Sequence, residues 1–302
     1  GFPANNSPFN MEIMNTYKGY LDGSAFIPGN GYHGPGQMTG EKFFPIGMYG
    51  SKVMGDNKDK VQELANHWVN WFSNNAKDAV YFWYIIDEPG PSSYSWINER
   101  AGWIKSNPGP GKHLPVFTTS RYRDGLKESI DYWAAHNGTE LDRLDSIRHS
   151  GGDYWFYNGN RPRYGSVILE GTAVDFRVNS WILYKYNVSV WFIWHGTHWQ
   201  HNSQGPKGRL HQNIYINPLT FINESMEFGN GDGMLFYPGR MPFYPEQDRG
   251  LNQILPSIRL KNIRRGQQDT IIMWMAEQKA GKEKVLEIIN KIVPKALSEV
   301  NM

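Results

Sequence analysis

Cysteine is absent from all 302 residues. That excludes disulfides, thiolate metal sites and cysteine nucleophiles, and it leaves the redox compartment open. An excess of either charge is missing too: 31 Lys and Arg stand against 29 Asp and Glu, a formal net charge of +2. Nucleic-acid binding, which needs clustered basic residues, is not expected. Long apolar runs are also lacking. The longest, such as Ala79–Ile86, fall far short of the roughly 20 residues a membrane helix requires, so no membrane insertion is expected. With 39% hydrophobic and only 20% charged residues, the chain is not expected to be disordered. It begins at Gly, no signal-type apolar stretch follows, and it reads as a processed form, an engineered form or a fragment.

Abundance lies in the aromatics: 12 Trp, 17 Tyr and 15 Phe, together with 32 Gly and 18 Pro. Tyr and Trp offer a flat apolar face and a polar edge, which suits sugar rings, although the same composition also describes a loop-rich protein with a bulky core. Four Asn-x-Ser/Thr sequons, at Asn5, Asn137, Asn187 and Asn223, are compatible with a secreted, cell-surface or periplasmic setting.

Residues 1–42 are rich in Gly, Asn and Pro, with the extreme at 29–36, and read as a long irregular segment. Phe43–Met48 is a strand candidate. Asp56–Asn74 carries Val61, Leu64, Ala65, Trp68, Trp71 and Phe72 at helical spacing. Ala79–Ile86 is unbroken and apolar, which fits a strand buried on both faces of a parallel sheet. Beyond it, Ser93–Lys105 reads as helix, Val116–Thr119 as strand, Asp124–Ala135 as helix, and Leu141–Ile147 and Tyr154–Tyr157 as strands. Thr172–Tyr186 reads as helix, Val188–Trp194 and Leu235–Tyr237 as buried strands, and Ile258–Gln278 and Lys282–Val293 as closing helices. Alternating strand and helix point to an α/β fold, with seven strand candidates where a closed (β/α)8 barrel needs eight. Nothing divides the chain by composition, so 1–302 reads as one domain.

The strongest local chemistry is Asp87-Glu88-Pro89 directly after the most apolar strand. Carboxyl ends of parallel strands are where side chains leave the core and face a cleft. Adjacent carboxylates near apolar walls repel, which favours one of them keeping its proton. Pro89 is expected to hold Glu88 extended. An acid beside a carboxylate is what glycosidic cleavage requires; a solvated loop or helix cap is the plainer alternative. Tyr157-Asn158 and Trp194-His195 follow strand candidates and are candidate rim residues, and Trp199 lies just beyond. His195, His198 and His201 recur at a spacing of three, but no Cys or neighbouring carboxylate joins them, so neither a metal nor another cofactor is expected. Residues 229–233 (Gly-Asn-Gly-Asp-Gly) lack the Lys of a phosphate loop and read as a turn. Arg259, Lys261, Arg264 and Arg265 read as a solvated or salt-bridged helix face.

Taken in order, several motifs resemble the catalytic part of glycoside hydrolase family 123. They are residues 21–26, 84–89 and 155–158, then Arg177 and Trp181, residues 231–239, and finally residues 256–260 with Arg264-Arg265-Gly266 and Asp269. The likeness covers about residues 20–275. After Asp269, Thr270-Ile271-Ile272-Met273 departs from the aromatic and acidic residues usual in that family. The resemblance implies a (β/α)8 TIM-type barrel, lacking here its first strand or strands and an upstream β-sandwich. The other expected partners are then the remainder of the same polypeptide or a second copy. It implies a retaining exo-β-N-acetylgalactosaminidase in which the substrate's 2-acetamido group is the nucleophile. Asp87 would orient the acetamide and Glu88 would be the general acid/base. Asp22, Tyr157, Asn158, Trp194, His195, Trp199 and Tyr237 would contact a glycan substrate. Two alternatives stand beside this: a carbohydrate-binding or structural surface protein on the same fold, and a β-glycosidase with a protein carboxylate as nucleophile.

Overall fold

The computed structural model describes residues 7–49, 53–135, 141, 143–159, 164–199, 213–222 and 228–294. His201 and the sequons at Asn5, Asn137 and Asn223 lie outside them. The chain forms an α/β fold whose main sheet has six strands in sequential order: β1 (Phe43–Ile46), β2 (Val80–Asp87), β3 (Val116–Thr119), β4 (Tyr132–Ala135), β5 (Asp153–Tyr157) and β6 (Trp191–Phe192). The registered pairings β1–β2, β2–β3, β3–β4 and β5–β6 are parallel. Sequential parallel order without reversal is the order of a (β/α)8 barrel, whereas a doubly wound sheet reverses at a switch point. By their contacts the residues divide into two compact units, Gly1–Ala134 with Leu144–Tyr154, and Ala135–Arg143 with Trp155–Met302.

In the first unit, α2 (Lys58–Asn75) starts at Asn57, whose side chain accepts the Lys60 N–H at 3.0 Å. Its buried stripe of Val61, Leu64, Ala65, Trp68, Val69, Trp71 and Phe72 faces β1, where Phe44 lies 5.7 Å from the Trp68 ring and 5.3 Å from Phe72. Phe72 in turn stacks on Tyr81 of β2 at 4.3 Å. Much of the aromatic surplus is thus core. In β2, four successive residues from Phe82 to Ile85 are buried, as expected for a strand covered on both faces. Helix α3 (Tyr94–Lys105) follows.

Three readings of this unit need correction. Residues 1–42 contain a helix, α1 (Met11–Asp22), capped by Asn10 and ended by Gly23 at φ +89. A Cβ at Gly23 would sit 2.2 Å from the Met38 carbonyl oxygen, so only glycine fits. Only Met14 and Leu21 of α1 are buried, too few to write a helical period into the sequence. Within 124–135, a 3-10 turn gives way to β4, because Asp131 pairs with Val116 at the start of β3. Its Oδ2 accepts the Val116 N–H at 2.8 Å, and its own N–H reaches Val116 O at 2.9 Å. Leu141–Ile147 is not a strand: α4 (Leu144–His149) buries Leu144 and Ile147 one turn apart.

In the second unit, α5 (Ala173–Lys185) packs against α6 (Ile258–Ala280), and α7 (Lys282–Ile292) follows. Gly266 permits the close approach; a Cβ there would lie 2.6 Å from both Arg177 O and Ser180 Oγ. Tyr184 donates to Glu277 Oε2 at 2.6 Å. Strands β7 (Leu219–Ile222) and β8 (Phe228–Asn230) form an antiparallel pair, as do β9 (Phe236–Pro238) and β10 (Ile254–Pro256). The strand expected over Leu235–Tyr237 therefore belongs to a hairpin and not to the parallel sheet. Strand β6 is shorter than the run Val188–Trp194, and beyond its end the Asn158 side chain takes the Trp194 N–H, at 2.9 Å, out of ladder pairing.

Candidate functional site

Asp87 is the last residue of β2, and Glu88 is the first outside it. A register shift between Tyr84 and Ile86 marks a bulge in the pairing with β3. Strict alternation would send positions 84 and 87 to opposite faces; the extra residue brings them to the same one. Asp87 Oδ1 then accepts two hydroxyls at 2.5 Å each, from Tyr84 and from Thr119, its cross-strand partner at the end of β3. Because the Thr119 hydrogen goes to Asp87, Thr119 Oγ1 can accept the Glu88 backbone N–H at 2.9 Å. Tyr84 and Thr119 are buried, and the Phe117 ring meets the Tyr84 ring edge-on at 4.8 Å. Asp87 Oδ2 accepts no hydrogen bond among the described residues.

Glu88 has φ +43, the left-handed region. The extended backbone expected ahead of Pro89 is not formed. Capture of the Glu88 N–H by Thr119 turns the chain out of the strand at this residue, at a cost of order 1–3 kcal/mol for a residue with a Cβ. The residue as a whole is exposed, yet partial desolvation of its carboxyl raises the pKa above the ordinary glutamate value, and the neighbouring Asp87 charge adds to the rise. Tyr84 lies within the motif at 84–89, but nothing in the sequence assigns it, or Thr119, to Asp87. The available signal was the polar end of β3, Thr118-Thr119, in a strand buried at all four positions.

Asp22, in the same unit, is engaged at the end of α1. Lys18 Nζ lies 2.6 Å away and the Ser24 N–H 2.9 Å away. Burial pushes its carboxyl up, but these donors outweigh that and bring the pKa down to about 2. A carboxylate so occupied is a helix-end anchor.

The second unit holds the other expected residues. Tyr157 is buried at the end of β5, its ring 5.7 Å from Phe192 on β6. Asn158 has φ +50 and organises the next strand end: its N–H bonds Phe192 O, its O accepts the Trp191 indole, and its Oδ1 accepts the Trp194 N–H. Trp194 donates its indole N–H to Asp232 Oδ1 at 2.8 Å and packs beside His195 and His198. His195 Nδ1 accepts the Thr197 N–H at 3.2 Å. Among the described residues no group of three metal-binding side chains forms. Trp199 donates to Phe236 O, and Tyr237 stacks on Tyr215 at 5.3 Å; both border the cluster of Ile214, Met234 and Met241.

Two motif residues turn out to be scaffold. Arg259 is 2% exposed, not part of a solvated face; Lys261, Arg264 and Arg265 are exposed. Its guanidinium donates to Val167 O, Gly231 O and Met234 O, which fixes the glycine turn that presents Asp232 to Trp194. Desolvation lowers its pKa against the pull of nearby Tyr237, Asp232 and Glu170. Asp269 accepts Arg177 through both oxygens, at 2.5 and 2.8 Å, and the Trp181 indole at 2.9 Å, locking α6 to α5. No protein-family model matches the chain, and a search of the curated proteins returns no match.

Proposed function

We propose that the chain is a retaining glycoside hydrolase that cleaves a β-linked 2-acetamido sugar by substrate-assisted catalysis, with the six-stranded sheet as part of a (β/α)8 TIM-type barrel. What carries the reading is the carboxylate pair at the end of β2. Asp87 is fixed through one oxygen by two neutral hydroxyls, which leaves Oδ2 to accept a ligand N–H. Glu88 is next to it, with its pKa raised as a general acid requires. In the first step Glu88 gives its proton to the leaving oxygen. The acetamide carbonyl oxygen attacks the anomeric carbon as the bond to the leaving group breaks. Asp87 Oδ2 holds the acetamide N–H and stabilises the positive charge of the resulting oxazolinium ion. In the second step Glu88 takes a proton from water, the water oxygen attacks the anomeric carbon, and the ring opens with net retention. Asn158, Trp194, His195 and Trp199 are our candidates for sugar contacts. The family 123 resemblance favours N-acetylgalactosamine as the sugar.

The test is a panel of 4-nitrophenyl 2-acetamido-2-deoxy-β-glycosides beside the matching 2-hydroxy sugars. The acetamido substrates are expected to turn over with retention, seen by proton NMR, and a thiazoline mimic of the oxazolinium ion is expected to inhibit. Equal turnover of the 2-hydroxy sugars without thiazoline inhibition would replace this mechanism by one with a protein nucleophile. No turnover of any glycoside by folded protein would favour a binding protein.

A further inference from the structure

The second unit contains a cavity of about 670 Å³, broadly open to solvent, with a volume inside the roughly 300–1,000 Å³ range of small-molecule sites. Its walls are mostly apolar: Leu169, Ile214, Pro218, Leu251, Leu255 and Pro256, with the stacked pair Tyr215 and Tyr237. Ser257 and Arg249 complete the lining, and among the described lining residues Arg249 alone carries an ionic charge. The adjacent Asp248 is committed to Arg240 Nε at 3.1 Å and to the Gly250 N–H at 2.8 Å, and Arg249 makes no ion pair among the described residues. Arg249 instead lies over the Tyr215 ring, its guanidinium carbon 4.8 Å from the centroid. The Tyr215 ring and hydroxyl hold the guanidinium in place, and a group with five N–H donors keeps others for an acceptor.

We infer that this cavity is a binding site for a small organic carboxylate with an apolar, ring-sized body. The planar donor fork of Arg249 matches a carboxylate in two-point contact, and the Leu, Ile, Pro and Tyr walls match the body. A free sugar fits poorly, because its several hydroxyls would meet a wall with few polar groups left to pair. Tyr215 already donates to Pro238 O at 2.8 Å, and Ser257 Oγ already accepts the Leu260 N–H at 3.1 Å, which leaves Ser257 its single O–H to offer. The test needs no turnover, so it can fail without the roles assigned to Asp87 and Glu88 failing.

The probe is naphthalene-2-carboxylate, with the neutral naphthalene-2-carboxamide as its control, titrated calorimetrically into the whole chain. The acid is expected to bind saturably and about tenfold or more tightly than the amide, the scale of one charge-assisted contact. Arg249→Gln is expected to abolish that preference, and Arg249→Lys to restore only part of it, because an ammonium lacks the fork. Since Arg249 is exposed, the melting temperature of these variants should match the parent. Leu255→Trp, which fills the cavity, is expected to weaken both probes. Equal binding of acid and amide, no saturable binding of the acid, or an acid preference kept by Arg249→Gln would each overturn the inference.

Discussion

Asp87 and Asp269 are two carboxylates held by short hydrogen bonds, and their donors differ in kind. Asp269 faces a guanidinium and an indole that together occupy both its oxygens. The Arg177 hydrogen bonds are the main reason its pKa lies below the usual carboxylate range. Such a group is spent: it bridges α5 and α6 and has little left to offer a ligand. Asp87 faces only neutral hydroxyls, both on one oxygen, and its neighbour Glu88 is pushed the other way, towards keeping its proton. The first arrangement stores stability, and the second stores unused bonding capacity beside a strained residue.

The widest separation between the two should come from Glu88→Gln set against Asp269→Ala. Glu88→Gln is expected to lower kcat by about 10²-fold or more on glycosides with poor leaving groups, the scale of general acid catalysis, with a smaller loss on activated aryl glycosides. Its melting temperature should barely change. The pH profile of the parent should fall on its alkaline side, as Glu88 loses the proton it donates. The same sign holds for stability. A raised folded pKa means the folded state keeps this proton where the unfolded chain has released it. That contribution is complete below the ordinary glutamate value and is lost as pH rises through the folded one. A parent profile without an alkaline limb would remove Glu88 from the acid role.

Asp269→Ala is expected to do the reverse, costing about 1–2 kcal/mol in urea unfolding, the scale of charge-assisted bonds discounted for solvent because the Arg177 side chain is 45% exposed. Here the folded pKa is lowered, so the stability is present above the unfolded carboxylate value and is lost as pH falls through the folded one. The parent should therefore lose stability in acid more steeply than Asp269→Ala. Parallel acid profiles for the two proteins would break the contrast.

How much of this could be read from the sequence follows from which signals are local. The apolar run of β2, the stripe of α2 and the carboxylate pair depend on neighbours in the chain, and periodicity finds them. Arg259 defeats such reading: a basic residue among basic residues looks solvated until backbone oxygens near positions 167, 231 and 234 fold around it. Tyr84 and Thr119 escaped because a bulge decides which way Tyr84 faces, and Thr119 is 32 residues from Asp87. Residues 124–135 read locally as helix, yet β4 forms there because Asp131 pairs with Val116, a tertiary partner that outweighs local propensity.

The smallest effect tests whether the catalytic end of the comparison carries backbone strain. Glu88 at φ +43 sits in a region where a Cβ crowds the following carbonyl, while glycine enters it freely. Comparing Glu88→Gly with Glu88→Ala removes the carboxylate from both, so charge, desolvation and hydrogen bonding by the side chain cancel. What differs is the Cβ and the freedom of the unfolded chain. Glycine gains about 1–2 kcal/mol by relief of strain and loses about 0.4–1 kcal/mol to its more flexible unfolded state. Glu88→Gly should therefore be the more stable of the pair by up to about 1.6 kcal/mol, read as a higher urea midpoint at unchanged m-value. Both variants should be equally inactive on poor leaving groups. A less stable Glu88→Gly would mean that residue 88 is not strained, and that the turn out of β2 is held by Thr119 at no cost to the fold.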